Sequence, residues 1–283
     1  MNENPFIVSR DWLEERLHAP GMAILDASWY LPAQGRDAKA EYDAAHIPGA
    51  VFFDHDVVVE PGSTLPHTLP SPTHFAQFAG AMGVAADDTI VVYDGPGLFT
   101  APRAWWIFRV MGAQKVFLLD GGFDRWKAEG RPVTAEPTKI APNLFKVNFD
   151  ASRVVGFDEM RRIVEEGGAQ VVDVRARGRF EGSEPEPRAG MRSGHMPNAI
   201  NLPFAQLAEN GSLLPPNGLR NVLEEAGVDL SRPVVSSCGS GVTAAVLNLA
   251  LEVLGHEDHR LYDGSWSEWG RRPDTEVETG RGS

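Results

Sequence analysis

The amino-acid sequence predicts an α/β protein of two tandem domains, each a parallel sheet flanked by helices. Three observations predict this fold: motifs that recur in the same order in both halves, short β-branched runs that alternate with amphipathic stretches, and a proline-rich break between the halves. The chain has 283 residues, of which 42% are hydrophobic and 23% charged. That length is sufficient for two domains of ordinary size, each with its own core.

The repeat consists of four short segments in each half. They are residues 24–26, 46–50, 90–94 and 119–123 in the first half, and residues 171–173, 195–199, 233–238 and 262–266 in the second. A tryptophan follows the last segment each time, Trp126 and then Trp269. The apolar runs are typical of buried parallel strands. The longer amphipathic stretches between them are typical of helices that cover a sheet. We therefore expect a first domain over 1–132, a linker over 133–151 and a second domain over 152–283.

Composition and charge exclude several classes of function. A formal net charge of -13 disfavours nucleic-acid binding, which needs clustered Lys and Arg against phosphates. The sequence shows neither a run of about 18 apolar residues nor a basic-then-apolar start, so we expect no membrane association and a cytoplasmic location. One cysteine excludes an intramolecular disulfide and multi-cysteine metal sites, and the scattered histidines predict no metal site.

The single cysteine, Cys238, is the candidate nucleophile. A lone Cys is more often a small buried hydrophobe, but this one follows an apolar run, where parallel sheets present ligand-binding groups. Gly239 and Gly241 allow the backbone to curl so that amide groups point inward, and a helix opening near Thr243 adds its positive end. Such a loop favours a thiolate and would hold the anionic sulfur of a persulfide. The first half has Asp94 at the equivalent position and thus no nucleophile there.

The order of these motifs resembles that of the tandem rhodanese-homology sulfurtransferases, over essentially the whole chain. Residues 238–243, Cys-Gly-Ser-Gly-Val-Thr, are similar to the active loop of the 3-mercaptopyruvate sulfurtransferases, and residues 263–269 resemble a stretch found in both these and the thiosulfate sulfurtransferases. The resemblance implies two rhodanese-like domains, a persulfide on Cys238, and substrate binding by the rest of the loop, namely Gly239, Gly241, Val242 and Thr243. It implies no cofactor.

The resemblance also implies two substrate-binding arginines in an acidic, proline-containing segment, Arg179 and Arg188. Their planar donors would grip the carboxylate and keto oxygen of 3-mercaptopyruvate and stabilise the enolate that remains when sulfur departs. Without the family, arginines among Glu181, Glu184 and Glu186 are equally typical of solvated ion pairs.

A relay of Ser240, His67 and Asp56 follows from the same resemblance. It would move a proton between the donor thiol and the departing enolate, with Asp56 fixing the tautomer of His67. The other interpretation is a surface histidine beside prolines and a loop aspartate, and His55 stands where a hydrophobic residue is expected. His46 and His195 recur at equivalent positions of both halves, so we interpret them as structural.

Three other functions share features with this sequence. A thiosulfate sulfurtransferase would carry basic residues after its cysteine, where this loop has Gly239 and Ser240. A phosphatase would need an arginine six positions beyond the cysteine, where Ala244 stands, which disfavours that activity. A non-catalytic rhodanese-like sulfur carrier or binding module is the third. Without a second cysteine, the sulfur acceptor must come from outside as a small thiol, cyanide or a thioredoxin-like protein.

Overall fold

The computed structural model describes residues 4–282. The chain divides into two compact units. The first extends to Pro61 and includes Leu69–Asp150 and Asn210–Leu213, and the second consists of Gly62–Thr68, Ala151–Glu209 and the chain from Leu214 onward. Among residues 4–282, no helix is both long and apolar enough to cross a membrane.

The first unit is built around a five-stranded sheet whose neighbouring strands are all parallel, in the order β1-β5-β4-β2-β3. Its strands are β1 (Ile7–Val8), β2 (Met22–Asp26), β3 (Ala50–Phe52), β4 (Thr89–Tyr93) and β5 (Val116–Leu119). Its helices are α1 (Arg10–Glu14), α2 (Ala38–Ala44), α3 (Pro72–Ala81), α4 (Ala101–Val110) and α5 (Gly122–Ala128), with a 3₁₀ turn at Pro32–Gln34.

The second unit repeats this plan with a parallel sheet in the order β6-β12-β11-β7-β8. Its strands are β6 (Val154–Val155), β7 (Gln170–Asp173), β8 (Ile200–Asn201), β11 (Val234–Ser237) and β12 (His259–Tyr262). Its helices are α6 (Phe157–Glu166), α7 (Arg177–Glu181), α8 (Pro216–Glu225), α9 (Ala244–Val253) and α10 (Ser265–Trp269), with 3₁₀ turns at Ala151–Arg153 and Phe204–Leu207. Two further short strands are β9 (Ala208–Glu209), which belongs to the second unit, and β10 (Ser212–Leu213), which belongs to the first.

The two sheets have the same strand order, which confirms the predicted duplicated α/β fold. Strands β4 and β11 occupy the same central place, and β11 is buried along its whole length because its apolar residues face helices on both sides. Helix α9 is buried from Ala244 to Leu251 because every residue of that stretch except Asn248 is apolar. Trp126 and Trp269 both lie in cores, and each indole donates to a backbone carbonyl at 2.8 Å.

The segment predicted as a linker lies against the first unit as far as Asp150. Phe145 is buried there, and the amide of Asn143 donates to the Gly80 carbonyl at 2.9 Å. A Cβ at Gly80 would lie 2.5 Å from the Asn143 carbonyl oxygen, so only glycine permits this approach. The second unit resumes at Ala151.

Candidate active site

Cys238 follows β11 and begins the loop that leads to α9, where its side chain is buried. The Cys238 carbonyl accepts from the Trp266 amide at 2.9 Å. The Gly239 carbonyl accepts from the amide of Ser267 at 2.8 Å and from its hydroxyl at 2.6 Å. Because N–H and C=O point in opposite directions across a trans peptide, the amides of Gly239 and Ser240 are turned away from α10.

The amide groups on this side of the loop are potential hydrogen-bond donors. Among residues 4–282, no protein acceptor takes the amide hydrogens of Gly239, Ser240, Val242 or Thr243. Gly241 has a φ of 78°, the left-handed conformation that lets successive amides curl toward one side. The start of the ten-residue helix α9 adds its positive dipole end. Together these groups give this side of the loop a positive electrostatic character.

Ser265 contacts the first residue of the cysteine loop through a hydrogen bond. The sequence analysis did not identify it. Its hydroxyl oxygen accepts from the Cys238 amide at 3.2 Å, and the hydroxyl donates to the Tyr262 carbonyl at 2.9 Å. Its φ of 48° is left-handed, as is the φ of 63° at Gly122, the equivalent residue of the first unit. The sequence did contain a signal for Ser265. The first half has Asp-Gly-Gly where the second has Asp-Gly-Ser, so a serine stands at a position whose left-handed backbone favours glycine.

The equivalent loop of the first unit closes around a carboxylate of its own. Asp94 follows β4, is fully buried, and accepts four backbone amides, those of Gly97, Phe99, Thr100 and Ala101, at 2.6–2.9 Å. Burial raises the pKa of Asp94 above its ordinary value, although the amide donors oppose that effect. The loop of the first unit is therefore filled by its own Asp94 side chain, whereas the second unit has Cys238 at that position.

Arg179, on α7, lies against the cysteine loop. A Cβ built on Gly239 would lie 3.0 Å from Nη2 of Arg179. Nε and Nη2 donate to the two carboxylate oxygens of Glu186 at 3.2 and 2.5 Å. Nη1 of Arg179 has no acceptor among the residues that the structure describes. The Glu186 side chain is only 1% exposed, so this pair is not the solvated surface ion pair weighed as the alternative.

A buried network behind Arg179 was also missed. The guanidinium of Arg175 donates to Asp173 at 2.6 Å, to Glu186 at 2.7 Å and to the Gly194 carbonyl at 2.8 Å. It also stacks on the indole of Trp266 at 4.3 Å. The side chains of Arg175, Asp173 and Glu186 are each at most 1% exposed. The signal in the sequence was weak, since only the strand-end aspartate and the acidic segment stood out.

Ser240 and His67 are brought together. The Ser240 hydroxyl lies 2.9 Å from Nδ1 of His67, and both side chains are buried. His67 has a φ of 57°, a left-handed conformation that a non-glycine residue adopts only when its surroundings hold it there. Asp56, in the first unit, accepts from the indole N–H of Trp29 at 2.9 Å. Its predicted contact with His67 stays a prediction, as does substrate binding by the half-buried Arg188.

The histidines interpreted as structural have structural partners. Nδ1 of His46 lies 2.7 Å from the Tyr42 carbonyl and Nδ1 of His195 lies 2.8 Å from the Phe180 carbonyl. Each ring also stacks on the aromatic ring of the same partner. His55 is buried, with Nε2 3.0 Å from the Ala27 carbonyl, so it fills the place of the expected hydrophobic residue. Within residues 4–282, no cluster of His, Cys, Asp and Glu is suited to a metal ion.

Comparison with known proteins identifies the duplicated unit. The rhodanese-like domain matches residues 9–129 and again residues 157–272. The chain belongs to the rhodanese-like family. This rhodanese-like protein is 43% identical to the human 3-mercaptopyruvate sulfurtransferase over 285 residues, which cover 98% of this chain and 96% of the human one. It is 42% identical to the bovine thiosulfate sulfurtransferase over 286 residues, with 98% and 96% covered.

A solved structure gives the same result. The crystal structure of SseA from Escherichia coli, described among 3-mercaptopyruvate sulfotransferases, superimposes on this rhodanese-like protein with a TM-score of 0.85 at 38% identity, covering 93% of this chain and 99% of SseA. These matches confirm the sequence-based assignment to the tandem rhodanese-homology sulfurtransferases. The sequence identities to the 3-mercaptopyruvate and the thiosulfate sulfurtransferases are nearly equal, so they do not indicate which sulfur donor this protein uses. The residues of the site have to indicate the donor.

Proposed function

We propose that this protein is a sulfurtransferase that takes sulfane sulfur from 3-mercaptopyruvate and passes it, through a persulfide on Cys238, to an external thiol or to cyanide. The single observation that carries the proposal is the position of Arg179. Its guanidinium lies against Gly239, one edge is bound by Glu186, and Nη1 is left without a protein acceptor among the described residues.

The loop favours a donor whose charge is separated from its reacting sulfur. No basic side chain follows Cys238 before α9 begins, so the loop offers only amides and the Ser240 hydroxyl close to the sulfur. Thiosulfate is a compact dianion that gains most from cations beside the nucleophile. Mercaptopyruvate carries its carboxylate three bonds from the sulfur, where an arginine outside the loop can reach it. Arg179 supplies that cation, with Arg188 as its proposed partner.

The chemical cycle needs only groups of this chain and the two substrates. The Cys238 thiolate attacks the sulfur of the donor, the carbon–sulfur bond breaks, and its electron pair leaves with the pyruvate enolate. The proton from the donor thiol balances the proton that the enolate carbon takes up, which leaves the persulfide anionic. An acceptor thiolate or cyanide then attacks the outer sulfur and returns Cys238 as a thiolate.

Ser240 and His67 are the groups proposed to move that proton. Their 2.9 Å separation allows a hydrogen bond between the hydroxyl and Nδ1, and the pair is shielded from solvent. The amides of Gly239, Val242 and Thr243 hold the anionic sulfur while the proton moves. The proposed role of Asp56 is to fix the tautomer of His67.

Discharge of the persulfide requires an external acceptor because Cys238 is the single cysteine of the chain. A small thiol, cyanide or a dithiol protein of the thioredoxin kind fits this requirement. A cytoplasmic location, as expected from the sequence, belongs to the same proposal.

Steady-state kinetics with both donors test the proposal. We expect kcat/KM to be higher for 3-mercaptopyruvate than for thiosulfate, with one pyruvate released per sulfur transferred. A higher kcat/KM for thiosulfate would make the protein a thiosulfate sulfurtransferase, the second candidate. Absence of turnover with either donor, in a folded protein that still takes up one sulfur, would leave a sulfur-carrier module.

A further inference from the structure

We propose that Glu186 is a positioning residue for the donor: held by the buried Arg175, it fixes the guanidinium of Arg179 so that the free edge faces the Cys238 loop. The inference rests on the proposed function, because it assigns Arg179 to the carboxylate of the donor. Glu186 itself touches neither donor nor sulfur in this scheme.

The geometry at Glu186 explains how one carboxylate can hold an arginine plane. Its Oε1 accepts from Nε of Arg179 at 3.2 Å and its Oε2 accepts from Nη2 at 2.5 Å, so one complete edge of the guanidinium is bound. Two parallel bonds leave the plane no freedom to rotate. Nη1 and the second hydrogen of Nη2 then lie on the other side, and Nη2 is the atom nearest to Gly239.

Glu186 is itself fixed from behind. Nη1 of Arg175 donates to Oε1 of Glu186 at 2.7 Å, while Asp173 binds the Nε and Nη2 edge of Arg175. Asp173 is the last residue of β7, so this chain of bonds connects Arg179 to the sheet. The two arginines balance the formal charges of the two carboxylates, which lowers the cost of burying the Glu186 side chain.

The first unit contains an equivalent pair of an arginine and a glutamate, which can be compared with Arg179 and Glu186. There Arg36 donates from Nε and Nη2 to Glu41 at 2.9 and 2.6 Å, and its Nη2 lies 3.2 Å from a Cβ built on Gly95, the equivalent of Gly239. An arginine held by a glutamate beside the loop is therefore part of the duplicated fold.

The counterpart of Arg175 in the first unit is Ser28, which lies two residues after the strand-end aspartate, and the Glu41 side chain is 41% exposed. Only the unit with the nucleophile carries the second arginine that buries and locks the glutamate. We infer that this locking serves donor binding, because the fold itself forms without it in the first unit.

Two effects of removing the Glu186 charge oppose each other. A less neutralised Arg179 would attract an anion more strongly, but by only a few-fold at a partly exposed site. Loss of the fixed plane has the larger effect, since misplacement of a binding group by about 1 Å can cost about a hundredfold. We therefore expect weaker donor binding.

A double-mutant cycle tests the inference. We expect Glu186→Gln to raise KM for 3-mercaptopyruvate by about tenfold or more with a smaller change in kcat, and to alter thiosulfate turnover less. In an Arg179→Ala background the same substitution should change that KM by less than about twofold, because no guanidinium is left to position. Glu184→Gln, an exposed neighbour on the same segment, is the matched control and should behave as the wild type.

The outcomes separate this inference from the proposed function. If Arg179→Ala raises KM but Glu186→Gln does not, Glu186 positions nothing and only the inference fails. If Glu186→Gln lowers turnover with both donors equally, and does so again without Arg179, its role is structural and the inference fails. If Arg179→Ala leaves KM unchanged, both fail.

Thermal unfolding establishes that each variant is folded. If Glu186→Gln does not fold, Glu186→Asp is the second variant. Its shorter side chain keeps a carboxylate near Arg175 but moves it away from Arg179. A rise in KM smaller than that for Arg179→Ala is then expected, and an unchanged KM would overturn the inference.

Discussion

Nη2 of Arg179 lies 3.0 Å from the position that a Cβ on Gly239 would occupy. The guanidinium of Arg179 therefore lies where a side chain at position 239 would extend. A Cβ at position 239 would push the guanidinium back by a few tenths of an ångström, and a longer basic side chain would also repel it. A loop without basic side chains therefore leaves room for Arg179, which comes from outside the loop, to approach it.

The first prediction concerns donor choice. Replacing Gly239 with Arg and Ser240 with Lys should shift preference from 3-mercaptopyruvate toward thiosulfate, changing the ratio of kcat/KM values by about ten to a thousandfold. The physical reason is that two added charges favour a compact dianion while Arg179 is displaced. Both donors are measured on the double variant.

Two single variants separate the contributions. Gly239→Ala adds only the Cβ, and should raise KM for 3-mercaptopyruvate because Arg179 must move. Ser240→Ala removes only the hydroxyl that contacts His67, and should lower kcat. An unchanged donor ratio in the double variant would show that loop charge does not set specificity.

The second prediction concerns the nucleophile. Cys238→Ser should abolish sulfur transfer with either donor while leaving the fold intact, because a serine hydroxyl is far less ionised than a thiol at neutral pH. Mass spectrometry after donor treatment should find one added sulfur on the wild type and none on the variant. Residual activity above about a tenth of the wild type would refute the assignment.

The third prediction compares three arginines of one segment. Arg179→Ala should raise KM for 3-mercaptopyruvate by about ten to a hundredfold, since a charge-assisted bond contributes about 1.5–3 kcal/mol. Arg188→Ala should have a smaller effect in the same direction. Arg177→Ala is the control, because its side chain is 62% exposed and faces Glu181 at 3.8 Å. Equal effects of all three would point to the overall charge of the segment instead.

The fourth prediction concerns stability and pH. Asp26 ends β2, is 3% exposed, and its carboxylate accepts the Ser28 amide at 3.0 Å. Burial raises its pKa from 3.8 to about 6. The folded state therefore holds the proton more tightly than the unfolded state. The resulting stability is complete below pH 3.8 and is lost as the pH rises through about 6.

Asp26→Asn mimics the protonated acid. It should raise the free energy of unfolding by up to about 3 kcal/mol at pH 8 and by little near pH 4, measured by denaturant unfolding at both values. Asp43→Asn, at a side chain 58% exposed, is the control. A gain that does not depend on pH would show that Asp26 ionises normally.

The sequence alone predicted the duplicated fold, which the structure confirms, and singled out Cys238 as the candidate nucleophile. Both follow from local patterns: apolar runs of strand length recur in the same order, and glycines surround the only cysteine at a strand end. Three further segments, residues 178–188, the loop after Cys238 and residues 66–70, also placed Arg179, Ser240 and His67 among the candidates, through their resemblance to a family.

The tertiary structure decided the parts that depend on long-range contacts. Ser240 and His67 are separated by 173 residues, and no local pattern indicates that they lie 2.9 Å apart. Arg175, Glu186 and Ser265 escaped notice because charged residues and serines are common on surfaces, and burial distinguishes these only after the chain has folded. Periodicity reports which face of an element is apolar, whereas the partner of a polar side chain is set by the packing of distant segments.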